Sequence, residues 1–229
     1  MAEIEEVCPS CNESFKNVGR HWRWTPTHRP EFTSLQEDII TGVLMGDGSI
    51  YRSNKTPYLR VKMITKEYLE YLANIFGILT TGISLVRTSE ESARSCRLSG
   101  FDEDASAENY SDIYELRVRS HPSLEKYSSW YDSGKKVWPK NIQLTPTVLK
   151  HWYCCDGTYH DNHIEIGMCN ERDRTDIVSS YFNRLNLPKP SNYNTSNGTC
   201  IAEFSVDDSK KLLDYMGDPL PGFEYKWGK

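Results

Sequence analysis

The chain has 229 residues, 38% of them hydrophobic, with a mean hydropathy of -0.64 and no apolar run of bilayer-spanning length, which excludes a helical membrane protein. Seven cysteines, an odd number, follow an acidic start (Met1-Ala2-Glu3-Ile4-Glu5-Glu6) with no apolar secretion core, so an intracellular, unsecreted protein with reduced thiols is expected rather than a disulfide scaffold. The formal net charge of -5 argues against a broadly basic surface, yet residues 89–112 alone hold seven acids against Arg94 and Arg97, so the remainder is balanced and can gather its basic groups on one face.

Residues 1–30 read as a separate unit. Cys8-Pro9-Ser10-Cys11 followed by His21 and His28 gives C-x2-C-x9-H-x6-H, in which two thiolates and two imidazoles can complete a tetrahedral zinc site. A segment this short cannot build its own core, and a structural Zn2+ is the expected staple. Arg20, Trp22, Arg23, Trp24 and Arg29 surround these ligands, suited either to phosphate contact and stacking or, for the tryptophans, to packing against the main body.

Ser34-Leu35-Gln36-Glu37 is a capping-box pattern that starts an apolar helix ending at Gly46-Asp47-Gly48. Strands follow around 48–53 and 58–65, then a helix from Lys66 to Phe76 stopped by Gly77, and a strand near 82–88. The acidic, Ser-rich stretch 89–112 reads as a flexible excursion. From Ile113 to Arg119 the chain alternates, with Tyr114, Leu116 and Val118 on one face and Glu115, Arg117 and Arg119 on the other. His121-Pro122 opens a helix to about Tyr131.

Thr145-Pro146 then caps a second apolar helix ending at Cys155-Asp156-Gly157. Strands near 158–160 and 163–169, a helix around 171–186, strands near 192–195 and 199–206 joined through Ser196-Asn197-Gly198, and a helix through Met216 repeat the earlier order. The expected fold is α+β: two αββαββα repeats, 31–140 and 141–229, packed as one pseudo-symmetric body with a curved sheet surface.

Asp47 and Asp156 each end an apolar helix, each follows a small residue (Gly46, Cys155), and Gly42 or His151 lies four positions earlier on the same face. Helices packed along that face deliver both acids to one end. There the two carboxylates are close enough to share divalent metal ions.

This arrangement resembles the LAGLIDADG homing endonucleases of the monomeric, two-repeat type over residues 34 to 229, with the first motif held by two glycines and the second departing from the pattern at His151. Pro139-Lys140-Asn141 and Leu144-Thr145-Pro146 resemble the segment before the second motif in monomeric members. The resemblance implies a Mg2+-dependent, site-specific endonuclease acting as a monomer on double-stranded DNA with a long target. Asp47 and Asp156 would share metal ions and cut both strands across the minor groove, the two sheets forming a DNA-binding saddle.

By the same resemblance, Lys136, in Gly134-Lys135-Lys136-Val137-Trp138-Pro139, matches a catalytic-pocket lysine, Lys226 its partner in the other half, and Lys62 a polar active-site residue whose counterpart is Gly167. Outward strand residues would read bases: Tyr51, Ser53, Tyr58, Arg60, Arg117 and Arg119 in the first half, and His163, Glu165, Tyr193, Thr195, Thr199 and Glu203 in the second. The same scaffold also serves non-cleaving nucleic-acid binders, either RNA maturases or DNA-binding regulators, and that reading stays open at this point.

Overall fold

In a computed structural model that describes residues 5–52, 56–195 and 200–228, the chain begins with a short hairpin, β1 (Glu6–Val7) and β2 (Ser14–Phe15), followed by α1 (Val18–Trp24). The first repeat is α2 (Ser34–Met45), β3 (Gly48–Arg52), β4 (Pro57–Met63), α3 (Lys66–Phe76), β5 (Thr80–Arg87), α4 (Ser89–Ser99) and β6 (Ile113–Val118). A 3-10 helix, Pro122–Trp130, and a small ribbon, β7 (Tyr131–Asp132) with β8 (Lys135–Lys136), lead to the second repeat. That repeat is α5 (Pro146–Asp156), β9 (Gly157–His160), β10 (His163–Gly167), α6 (Thr175–Asn183), β11 (Asn192–Asn194), β12 (Ile201–Glu203) and α7 (Val206–Met216).

Among the described residues the two main sheets have the orders β3-β4-β6-β5 and β9-β10-β12-β11, antiparallel throughout, so the repeats share one topology. Register fixes the correspondence: Gly48 pairs with Val61 as Gly157 pairs with Ile166, which makes Lys62 the counterpart of Gly167. The strand pattern that the sequence predicts follows from burial. Leu59, Val61, Leu116 and Val118 point inward in one sheet, and Ile164, Ile166 and Ala202 do so in the other. No helix among the described residues is long and apolar enough to cross a membrane.

Helices α2 and α5 pack side by side at the centre. A Cβ on Gly42 would lie 2.6 Å from Val148 O and 2.7 Å from the Cβ of His151, and one on Gly46 would lie 2.3 Å from the Cβ of Cys155. Both glycines are therefore required by backbone approach; a methyl at Gly46 would force the helices apart at a cost of about 3 kcal/mol. His151 fits because Gly42 yields the space. Fully buried, it hydrogen-bonds Tyr68 Oη through Nδ1 at 2.5 Å, and desolvation together with the Lys150 charge brings its pKa down to about 3. Trp138 and Trp152 meet edge-on at 5.1 Å below this pair, a contact worth about 1 kcal/mol beyond the area buried.

Three expectations need correction. The cap of α2 is Thr33, not Ser34: its hydroxyl accepts from Gln36 N at 3.2 Å, and Gln36 Oε1 in turn accepts from Thr33 N at 3.0 Å. The acidic stretch is not a loose excursion, because Thr88 and Glu91 form a second capping box that starts α4, while Glu90 and Glu91 sit where the helix dipole favours negative charge. Nor does the N-terminal segment stand apart. Cys8, Val18 and Trp22 belong to the main hydrophobic core, Glu6 pairs with Arg119, His121 Nε2 donates to Pro30 O at 3.0 Å, and Ser123 donates to Glu31 at 3.0 Å.

Candidate active site

The packing of α2 against α5 brings Asp47 and Asp156 to the same end of the pair, with the Asp156 carboxyl carbon 3.4 Å from where a Gly46 Cβ would sit. Desolvation raises the Asp47 pKa to about 6, the nearby Asp156 charge adds to the rise, and Lys136 and Lys226 oppose it. Asp156 is raised too, by desolvation, against a hydrogen bond from Cys169 and the same two lysines. Two carboxylates that resist ionising side by side are a donor set that a divalent cation would relieve.

The lysines are held by backbone. Lys136 Nζ donates to Gly46 O at 2.5 Å and Gly48 O at 2.8 Å, bracketing Asp47. Lys226, buried and with its pKa lowered by desolvation, donates to Cys154 O at 2.6 Å, and its own carbonyl accepts from Tyr153 Oη at 2.7 Å. The loop carrying Lys136 is anchored by Glu171, a fully buried carboxylate that accepts from Trp138 N at 2.6 Å and pairs with Arg174 at 2.7 Å. Neither Glu171 nor Cys169 was legible as a site residue. Cys169 Sγ lies 3.5 Å from Asp156 Oδ2 and 3.4 Å from Met45 O, with φ at 47°, a backbone state rare outside glycine.

Lys62 is engaged on the sheet face. Its ammonium faces Glu115 at 3.7 Å, and Glu115, 1% exposed, also binds Arg60 at 3.2 Å and pairs with Arg117. One carboxylate under three cations holds the outward face of the first sheet together. Arg60 also lies over the Tyr51 ring at 3.8 Å and donates to its hydroxyl at 2.6 Å, while Tyr51 and Tyr58 stack at 5.9 Å. Tyr51, Tyr58, Arg60 and Arg117 thus share the face expected of them.

Arg119 and Tyr193 do not lie on the outward faces predicted for them. Arg119 is only 11% exposed, donating to Ile78 O at 2.9 Å and pairing with Glu6, so it tethers the N-terminal segment. Tyr193 pairs in register with buried Ala202 and turns inward, its hydroxyl 2.6 Å from Ser179 Oγ; the one-residue parity of the strand puts Asn192 and Asn194 outward instead. The inward apolar run Cys200, Ala202, Phe204 carries that parity in the sequence. His163, Glu165 and Glu203 lie on the outward side of the second sheet, and Thr195 is exposed just past β11. Ser53 and Thr199, expected among the base readers, lie outside the described residues, as does the predicted Ser196-Asn197-Gly198 turn.

In the N-terminal segment the ligand atoms of Cys8, Cys11, His21 and His28 all fall within 4.8 Å of one another. Cys11 Sγ to His21 Nε2 is 3.7 Å and His21 Nε2 to His28 Nδ1 is 3.1 Å. Tetrahedral zinc would set these edges at about 3.6 and about 3.3 Å, so the donor set fits. Burial would raise the Cys8 thiol, but hydrogen bonds from the backbone of Cys11 and Ser10 outweigh it and bring the thiol down to about 6. Phe15 stacks on His21 at 4.1 Å, and Trp24 stands 79% exposed beside Arg20 on the rim of a shallow hollow of about 360 Å³.

Two halves with one sheet topology that meet along a glycine-lined helix pair, each helix leading to an acid, define the pseudo-symmetric, two-repeat class of LAGLIDADG folds. The chain belongs to the LAGLIDADG DNA endonuclease family, whose sequence profile matches residues 37–212. Among solved structures it is similar to the homing endonuclease I-WcaI bound to its DNA recognition sequence, with a TM-score of 0.70 and 15% identity over 89% of this chain and 90% of that one. I-DmoI in complex with DNA and calcium gives a TM-score of 0.52 at 15% identity, covering 85% of this chain and 97% of that one. At such identities the likeness speaks for the fold. No curated protein matches the chain by sequence.

Proposed function

We propose that the chain is a monomeric, site-specific endonuclease that hydrolyses both strands of duplex DNA with Mg2+, built of a zinc module (1–30) docked on the first of two repeats (31–140, 141–229). The observation that carries this reading is the desolvated, mutually repelling pair Asp47 and Asp156 between two backbone-anchored lysines. Asp47 and Asp156 would hold magnesium, which when bound supplies Lewis-acid neutralisation of charge on the reacting phosphate. Lys136 and Lys226 flank the acids with fixed positive charge aimed at a phosphate in the same pocket, and their bonds to carbonyls keep that charge in place before substrate arrives.

The outward faces of the two sheets supply recognition. Arg60 and Arg117 suit guanine edges, and Tyr51 and Tyr58 offer stacking or backbone contact. The net charge of -5 does not oppose this, since acids concentrate in and around α4 whereas Arg60, Lys62 and Arg117 gather on one sheet face. Zinc held by Cys8, Cys11, His21 and His28 would fix the N-terminal segment, presenting Arg20 and Trp24 to the DNA backbone.

The test is incubation of the full chain with a library of randomised duplexes and Mg2+, followed by sequencing of the cut ends. A recurrent long site with paired nicks a few bases apart supports the endonuclease. Binding of a specific sequence without cut ends would instead establish a non-cleaving binder on this scaffold.

A further inference from the structure

The β9–β10 hairpin carries a second cluster of metal-ligating side chains, away from the acid pair and from the N-terminal segment. Its turn, Asp161-Asn162, has both residues at positive φ (49° and 65°), the conformation of a two-residue type I′ hairpin. That turn sets His160 directly opposite His163, and the two-residue period of the strand places Glu165 next on the same face. His160 Nε2 and His163 Nε2 lie 3.6 and 3.5 Å from the same oxygen, Glu165 Oε1, and the imidazole rings are 4.6 Å apart. The ligand atoms of all three are within 4.8 Å of one another.

Two further observations point to a cation. Asp161 Oδ2 sits 3.1 Å from Nδ1 of His160, the arrangement in which a carboxylate orients a ligating imidazole and leaves Nε2 free toward the metal. Across the sheet Glu165 pairs in register with Glu203, so two carboxylates stand opposite each other where like charge destabilises the strands. A bound cation relieves that repulsion.

We infer that His160, His163 and Glu165 form a binding site for a borderline divalent transition metal, of the Zn2+ or Co2+ class, on the outward face of the second sheet. Two imidazoles and one carboxylate select such an ion over Mg2+, which prefers all-oxygen ligands. Three protein ligands leave at least one coordination position for water or for an incoming phosphate or base. Glu165 is two positions, about 7 Å, from Gly167, where a Cβ would lie 3.4 Å from that of Asp156, so the ion would sit on the sheet face leading away from the acid pair. Its occupancy would replace the negative charge of the hairpin with a neutral or positive one. The site stands whether or not the chain cuts DNA.

The experiment is equilibrium dialysis of the full chain, as purified, against Co2+ with millimolar Mg2+ present to occupy hard-oxygen sites, read by metal content and visible absorption. The expected result is one equivalent of cobalt with d–d bands but no thiolate-to-metal charge transfer, beyond any that the Cys8, Cys11, His21 and His28 set takes up with such a band; this equivalent is lost in His160→Ala/His163→Ala and bound at least tenfold more weakly in Glu165→Gln. Without added metal neither variant should melt lower than the unaltered chain, since these side chains lie outside the core, and Glu165→Gln should melt slightly higher because it removes the repulsion from Glu203. Absence of this equivalent in the unaltered chain, or its survival in the double-histidine variant, would overturn the inference; the distances would then describe imidazole–carboxylate pairs alone.

Discussion

The two halves of the acid pocket share a skeleton and differ in chemistry. In the first, Asp47 lies two residues beyond the end of α2, Lys136 grips the carbonyls on either side of it, and the neighbouring sheet face carries Arg60, Lys62 and Arg117 around one buried carboxylate. In the second, Asp156 is the last residue of α5, and Lys226 reaches carbonyls two and three positions back. Gly167 stands where Lys62 would, and the sheet face carries histidines and glutamates. Topology and register can be repeated by a duplicated chain, but each half then tunes its own charges. The difference teaches that equal geometry need not mean equal handling of two DNA strands.

The largest effect that tests this comparison is removal of either acid. Asp47→Asn and Asp156→Asn are each expected to lower cleavage roughly a thousandfold or more while sparing DNA affinity, measured by nicking and gel-shift assays on one target. Retained cleavage in either variant would show that the pair does not act as a unit. The lysines come next. Lys136→Met should slow cleavage by about 10² to 10³ with little change in melting temperature. Lys226→Met should slow it similarly and also cost stability, about 1–3 kcal/mol, because it strips a buried carbonyl of its donor. Equal stability losses would erase that contrast.

The pH dependence follows from the raised carboxylates. The folded Asp47 value, about 6, lies above the usual carboxylate value, so the stabilisation from this group is full below that usual value, near pH 4, and is lost as pH rises through about 6. In metal-free protein Asp47→Asn should therefore raise the melting temperature at pH 7 more than at pH 4, and at limiting Mg2+ cleavage should fall about tenfold per pH unit below about 6. A flat profile in both assays would show that neither desolvation nor the Asp156 charge raises Asp47. The smallest effect is the most diagnostic of asymmetry. Lys62→Ala should slow nicking of one strand several-fold more than the other, and equal slowing of both would show that the two sheet faces act alike.

Much of the fold could be read in the sequence because each motif helix announces itself by an apolar period closed by a small residue, an acid and a glycine. The repeat of that pattern gave the pair, whereas Lys136 and Lys226 were suggested only by the likeness of their flanking segments to the family. What escaped was set by contacts distant in the chain. Glu115 reads as one more exposed acid on an alternating strand until three cations close over it. Cys169 is unremarkable until a strained turn sets it against Asp156. Arg119 shares the parity of Arg117 yet is claimed by Glu6, and α4 was hidden because its composition signals disorder while its caps, Thr88 and Glu91, signal a helix.

The bond between Glu6 and Arg119 and that from His121 to Pro30 also order events in time. Residues 6–30 leave the ribosome before the first repeat and find their landing place only when its distant edge has been made. Closure over so long a loop is slow, so this seam should zip late, and its amides should be among the last to gain protection from exchange during refolding.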